Sequence, residues 1–329
     1  MTFLTPHLPF HDPDSERANG IPHPGALPPP GSHLVITDTI PSPGHFAVYH
    51  LVSAALARKR KVVWVDFRGE GRSSWETVLK KLGTPLPAPS SGSFIHLTPT
   101  SLPDPASSPS TSTSSPPLFD ETTDAPVLKP TYEALLPHIG ASASASASAS
   151  GTKSEPQSES PQGAVDTGAV VILDGLAELL WMGFRPVDVG RFVRSVFAKV
   201  RSTRGTLIST LHADHLPLTS SLPSGYSGYS GSTVSASVSG FGFGVGSDSS
   251  AAEAELLERL LRMGGGGWWR VSHLASGRSG DVSGEISAAS NFPPEGTAFP
   301  SVPRSKPLQY RLETNTVKVF PKGTGRGFL

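Results

Sequence analysis

The chain of 329 residues contains no cysteine, which excludes disulfides, thiolate metal sites and cysteine nucleophiles. It also lacks net charge, with 27 Lys and Arg against 27 Asp and Glu, so no global field marks it for nucleic acid. No apolar run approaches the ~20 residues of a membrane span, and no membrane association is expected. Residues 1–13 have neither a basic leader region nor a sustained apolar core, so no secretory signal is expected. An intracellular, soluble protein is expected. What the chain has in excess is 34 Gly and 33 Pro, together about a fifth of its length and well above ordinary usage. Much of that excess lies in low-complexity stretches that bury too little apolar surface to offset ordering entropy. Without them roughly 200 residues remain, enough for one α/β core.

Residues 1–30 are Pro-rich and read as a flexible arm. Residues 31–329 read as a single domain interrupted by insertions at 99–126, 141–162 and 216–247, which are rich in Ser with Pro, Ala or Gly. Short apolar runs at 33–38, 61–66, 93–97, 168–174, 206–211 and 268–274 predict strands. Helical spacing is expected over 44–58, 72–82, part of 127–139, 187–204 and 252–263. Alternation over 308–312 and 317–320 around Thr314 and Asn315 predicts a closing hairpin. Strands alternating with helices imply an α/β fold, a mostly parallel sheet flanked by helices.

Residues 33–56 have the strand–loop–helix layout of a phosphate-binding loop without its chemistry. A working loop reads G-x-x-x-x-G-K-[ST], with the Lys on the β/γ-phosphates and the Ser or Thr on magnesium. Here Thr39 stands for the first Gly, and Gly44 is followed by His45 and Phe46. A neutral imidazole poorly replaces a lysine, and a phenyl ring cannot ligate magnesium. The strand at 168–174 closes on Asp174, as a Walker B strand does, but Gly175 follows, so no adjacent acid stands ready to activate water. Neither catalytic residues nor a cofactor or metal is assigned.

Two rival motifs fail on context. The run D-F-R-G-E-G-R-S at 66–73 resembles a turn of α/β-hydrolases, yet no G-x-S-x-G nucleophile elbow follows. His212 and His215 suggest a metal pair but fall in a strand-to-loop passage rather than on one helix face. Arg58-Lys59-Arg60-Lys61 closes the first helix; cations there suit the helix dipole, with RNA contact as the alternative. Arg191, Arg194 and Arg201 share a helix face opposite much of the apolar one and are candidate RNA contacts. Trp181, Met182 and Phe184 form an apolar cluster that is either a subunit interface or the domain's own core.

In order and in ending, the chain resembles the Elongator complex protein 6 family. The resembling pieces are the degenerate loop at 33–50, VVWVD at 62–66, LKKLG at 79–83, VILDGLAELLWMGF at 171–184 and QYRLETNTVKVFPKG at 309–323. The resemblance covers most of the chain outside the three insertions, which depart from the family's compact pattern. It implies a RecA-like fold without working Walker motifs, hence a pseudo-ATPase. It further implies assembly with Elongator proteins 4 and 5 into a heterohexameric ring. That ring attaches to the catalytic Elongator subcomplex, binds tRNA and supports wobble-uridine modification. The competing functions are an active P-loop-type ATPase with an unorthodox loop and, on the turn at 66–73, an α/β-hydrolase.

Overall fold

A computed structural model describes residues 4–12, 23–100, 115–140, 168–213, 248–274, 282–290, 299–314 and 316–322. In chain order the strands are β1 (Phe10–Asp12), β2 (His23–Gly25), β3 (His33–Asp38), β4 (Val62–Asp66), β5 (Phe94–Leu97), β6 (Val170–Asp174), β7 (Thr206–His212), β8 (Gly266–Ser272), β9 (Gly284–Ser290), β10 (Leu308–Leu312) and β11 (Val317–Pro321). The helices are α1 (His45–Ala57), α2 (Arg72–Lys81), α3 (Lys129–Gly140), α4 (Leu176–Trp181), α5 (Pro186–Ser202) and α6 (Asp248–Leu261). Nine strands form one sheet in the order β5-β4-β6-β7-β3-β8-β9-β10-β11. The first six run parallel, and β9, β10 and β11 pair antiparallel. The fold is thus α/β with a mostly parallel, mixed sheet flanked by helices.

The central strands are continuous apolar runs because both of their faces are covered. Every residue of β3, β4, β6 and β7 is buried. Alternation sorts their side chains. Leu34, Ile36, Val62, Trp64, Val170 and Ile172 pack with α1 and α2, whereas Val35, Val63, Val65, Val171 and Leu173 pack with α3, α4, α5 and α6. The chain therefore leaves β3 toward one face and its neighbour β7 toward the other. Such a reversal opens a crevice at the carboxyl ends of the two strands.

Two expectations are corrected. The segment read as a loose arm is packed wherever it is described: Leu4, Leu8, Phe10 and Leu27 are buried in the core, and β1 pairs with β2. The reason lies in α1, which is apolar on nearly all sides and buries eight of its residues. A helix of that kind needs cover on both flanks. The amino-terminal segment supplies it, and the Thr5 hydroxyl bonds His50 of α1 at 3.2 Å. The second correction concerns 99–126. Its described residues are 99–100 and 115–126; Pro117 bridges to Thr100, Leu118 is buried, and the segment turns on Asp120, whose carboxylate accepts the Thr122 and Thr123 amides. Residues 101–114 and the insertions 141–162 and 216–247 lie outside the described residues.

Sequence pattern did not disclose β9, whose GEISAAS run offers only one large apolar side chain, nor α4, a six-residue helix. The closing hairpin is present, with Tyr310 opposite Val319.

The packed amino terminus is testable. Phe10 stacks on Trp269 at 5.3 Å and meets the edge of Phe299 at 5.5 Å. Phe10→Ala should cost about 3–5 kcal/mol, read as a lower midpoint in denaturant unfolding. A variant of wild-type stability would restore the loose-arm reading.

Candidate functional site

The carboxyl ends of four parallel strands are ionisable: Asp38 ends β3, Asp66 ends β4, Asp174 ends β6 and His212 ends β7. Register places Asp38 beside His212 and Asp66 beside Asp174. All four are nearly inaccessible to solvent, so each needs a partner. Asp38, His212 and Asp174 meet in one network beneath the start of α1, and Asp66 has its own partners.

Asp38 faces two ways. Its Oδ2 accepts the Gly44 amide at 2.7 Å, and its Oδ1 lies 2.5 Å from His212 Nδ1. Gly44 is the residue before α1, so its N–H belongs to the group of unpaired amides that a helix amino terminus directs at an anion. A Cβ at Gly44 would stand 3.1 Å from the Asp38 Cβ, so a side chain there would press on the carboxylate.

Arg68, just beyond β4, holds the centre. Its Nη1 lies 2.7 Å from His212 Nε2, and its Nε is 3.4 Å from Asp174 and 3.7 Å from Glu178. A guanidinium only donates, so His212 Nε2 accepts, and Nδ1 carries the proton that it donates to Asp38. Burial disfavours the Arg68 charge, yet Asp174, Glu178, Asp38 and Glu70 outweigh it and hold the pKa above its usual value. Burial raises the Glu178 pKa, with Arg68 opposing. The underside of Arg68 rests on Gly175, where a Cβ would meet Arg68 Cγ at 2.6 Å; the backbone there has φ of +85°, a region that glycine enters freely.

Asp174 is tied down as well. The Thr210 hydroxyl donates to it at 2.6 Å, and the Gly175 amide donates to Thr210 at 2.8 Å. His45 Nε2 stands 4.0 Å away. Asp66 accepts the Gly69 and Gly71 amides, each at 2.9 Å, with His96 Nε2 at 3.4 Å. Burial would raise its pKa; the His96 contact and the two amides prevail and lower it. The run at 66–73 is therefore a carboxylate-capped turn. Among the described residues no group of three or more His, Cys, Asp or Glu could hold a metal ion.

The structure brings Gly44, His45 and Asp174 to this site. Phe46 turns away into the core against Tyr310, with ring centroids 4.6 Å apart. The expected apolar cluster divides. Phe184 is core, 4 % exposed and set against Phe119; Met182 is half-buried; Trp181 is 52 % exposed. Trp181 stacks on His212 at 6.0 Å and donates to Glu253 at 3.1 Å, so it forms the rim of the site. Arg191, Arg194 and Arg201 are exposed on α5, with Arg191 3.4 Å from Asp188. His215 lies outside the described residues. Asp38, Arg68, Glu178 and Thr210 were not singled out in the sequence, although strand after strand ending on an ionisable residue was a visible signal.

No family of known proteins matches the chain. No curated protein matches it either.

His212 gives a direct check. Burial lowers its pKa, but the hydrogen bond and charge of Asp38 raise it further, so the net shift is upward. A raised pKa adds stability that is full below the ordinary value and lost as pH rises through the folded one. Asp38→Asn removes both raising effects, so the His212 pKa should fall below the ordinary histidine value in an NMR titration. An unchanged pKa would show that Asp38 does not govern the ring.

Proposed function

We propose that the chain is a RecA-like pseudo-ATPase subunit of an Elongator-type accessory ring, acting through assembly and tRNA handling rather than catalysis. The observation that carries this reading is the Asp38 carboxylate on the Gly44 amide. An anion-binding helix start at a topological switch point is where a doubly wound sheet receives phosphate. Here the protein's own carboxylate occupies it. Asp174 and Glu178 stand in the same network, their charges opposing a polyphosphate, and its central cation, Arg68, lies against both.

Further support comes from the strand arrangement. β3 lies in mid-sheet, the strand–loop–helix of 33–56 is the degenerate phosphate loop, and Asp174 ends the Walker B-like strand two positions away. Asp174 accepts the Thr210 hydroxyl, and the Arg68 guanidinium, 3.4 Å away, stands where a Walker B aspartate would face magnesium. The resemblance in order and ending supplies the ring, the Elongator proteins 4 and 5, the catalytic subcomplex and tRNA as expected partners. No helix among the described residues is long and apolar enough to cross a membrane.

Two measurements test the reading. The tagged chain should co-purify with two paralogous subunits, identified by mass spectrometry. Calorimetry with magnesium and ATP should show no binding at micromolar concentration. A micromolar isotherm abolished by a bulky replacement of Gly44 would overturn the pseudo-ATPase reading.

The rim separates assembly from folding. Trp181 is half exposed and Phe184 is core. Trp181→Asp should leave a folded chain, by melting temperature and circular dichroism, that no longer enters the ring. Phe184→Asp should fail to fold. A Trp181→Asp chain that still assembles would remove this residue from the interface.

A further inference from the structure

The amino-terminal edge of the parallel sheet collects cations from separate segments. Arg58 and Lys59 follow α1, Lys61 precedes β4, and Lys199, Arg201 and Arg204 close α5. Arg58, Lys59, Arg201 and Arg204 are exposed. Structure makes these one neighbourhood. The buried Arg60 guanidinium donates to the Gly168 carbonyl at 2.8 Å and to the Thr206 hydroxyl at 3.1 Å, joining the starts of β4, β6 and β7. The Gly168 backbone abuts Thr203, Arg204 and Gly205, and Gly31 lies against Arg201.

Two of these cations sit where glycine is favoured. Lys59 and Arg204 directly follow the C-caps of α1 and α5, with φ of 56° and 53°. That left-handed position after a helix usually goes to Gly, which has no Cβ to strain it. The chain follows the rule elsewhere: Gly83 and Gly183 take the same position after α2 and α4, with φ of 83° and 94°. The helix dipole does not explain Arg204, and at neither helix does it require the cation to take the left-handed position. α2 has Lys80 and Lys81 in its last turn as well as Gly83, so a helix can have favourable charge and an unstrained end together. α5 likewise has Lys199 and Arg201 in its last turn before the strained Arg204. Retained backbone strain directs attention to function.

We infer that this edge, centred on Lys59 and Arg204, is the contact surface for the phosphate backbone of RNA; the inference deepens the tRNA-handling reading and names its site on this chain. β4, β6, β7 and β3 begin side by side, so the edge bearing these cations extends about 14 Å at the usual strand spacing. Cations spread over that length suit successive phosphates. Lipid is a poorer fit, because membrane-surface binding adds buried apolar groups to charge. The exposed large apolar residues among those described, Ile40, Trp181 and Leu312, lie at or beyond the carboxyl ends of β3, β6 and β10, at the opposite edge.

The test uses the full-length chain and a labelled single-stranded RNA 20-mer, followed by fluorescence anisotropy across a salt series. Lys59→Gly with Arg204→Gly should melt at the wild-type temperature or above it, because the left-handed positions are relieved. The same variant should lose on the order of tenfold in RNA affinity at 0.1 M salt, with a salt slope shallower by about 1.4 for two lost phosphate contacts. Lys318→Gln with Lys322→Gln, an equal charge change on β11 and just beyond it, should bind as wild type. Equal losses in both variants, an unchanged glycine variant, or a wild type that binds phosphatidylserine vesicles but no RNA would each overturn the inference. Its failure is separable from that of the ring reading, which depends on co-purified paralogues. A chain that joins the ring while its glycine variant still handles RNA normally loses only the site named here.

Discussion

The positive end of α1 is the constraint around which the upper edge of the sheet is arranged. The first amides of a helix cannot be paired within it, and α1 is buried almost throughout, so water cannot serve them all. Asp38 answers one of these amides through Gly44. Once a carboxylate lies there, buried and charged, it needs a further partner, and His212 supplies a donor from the next strand. His212 in turn needs a donor for Nε2, which fixes Arg68. Arg68 is too deeply buried to remain a lone cation and takes Asp174 and Glu178 as counter-charges. Each step follows from the cost of an unpaired buried polar group. The set is held by charge as much as by hydrogen bonds: Arg68 Nε stands 3.4 Å from Asp174 and 3.7 Å from Glu178.

That set has an energetic asymmetry. Removing one member of a buried ionic set leaves the others uncompensated, whereas the complete set contributes little relative to apolar packing. The network is therefore better understood as a determinant of geometry than of stability. It ties β3, β4, β6 and β7 together at the end where α1 and α4 begin, and it holds Trp181 flat on His212 at the rim. Arg68 is the point where this edge is joined, since it meets His212 of β7, Asp174 of β6 and Glu178 of α4 from its place just beyond β4.

Legibility in the sequence followed burial. β3, β4, β6 and β7 are covered on both faces, so Leu34 to Ile36 and Val170 to Leu173 stood out as unbroken apolar runs. β9 is defined by its neighbours: Ile286 and Ala288 are buried because β8 and β10 flank them, and its small side chains gave no local signal. The amino-terminal arm was masked by its prolines, although α1, with Val48, Leu51 and Val52 all buried, announced a missing cover. In the site, Gly44, His45 and Asp174 were found by analogy to a phosphate loop. Arg68 and Glu178 were not, because their role arises only when β4 and β6 lie side by side and α4 returns Glu178 toward them.

Zero net charge proved a poor guide to local fields. Helices that follow parallel strands all start near one edge of the sheet and end near the other. Here Asp38, Asp66, Asp174 and Glu178 gather at the carboxyl edge, while Lys59, Lys61, Arg201 and Arg204 gather at the amino edge. The two signs are thus set apart, the acids buried in the network at one edge and the cations Lys59, Arg201 and Arg204 exposed at the other. Potential at a surface depends on the charges within about a Debye length, ~8 Å at physiological salt, so each edge acts on its own surroundings whatever the sum. Composition counts charges, and only topology says which of them meet the same partner.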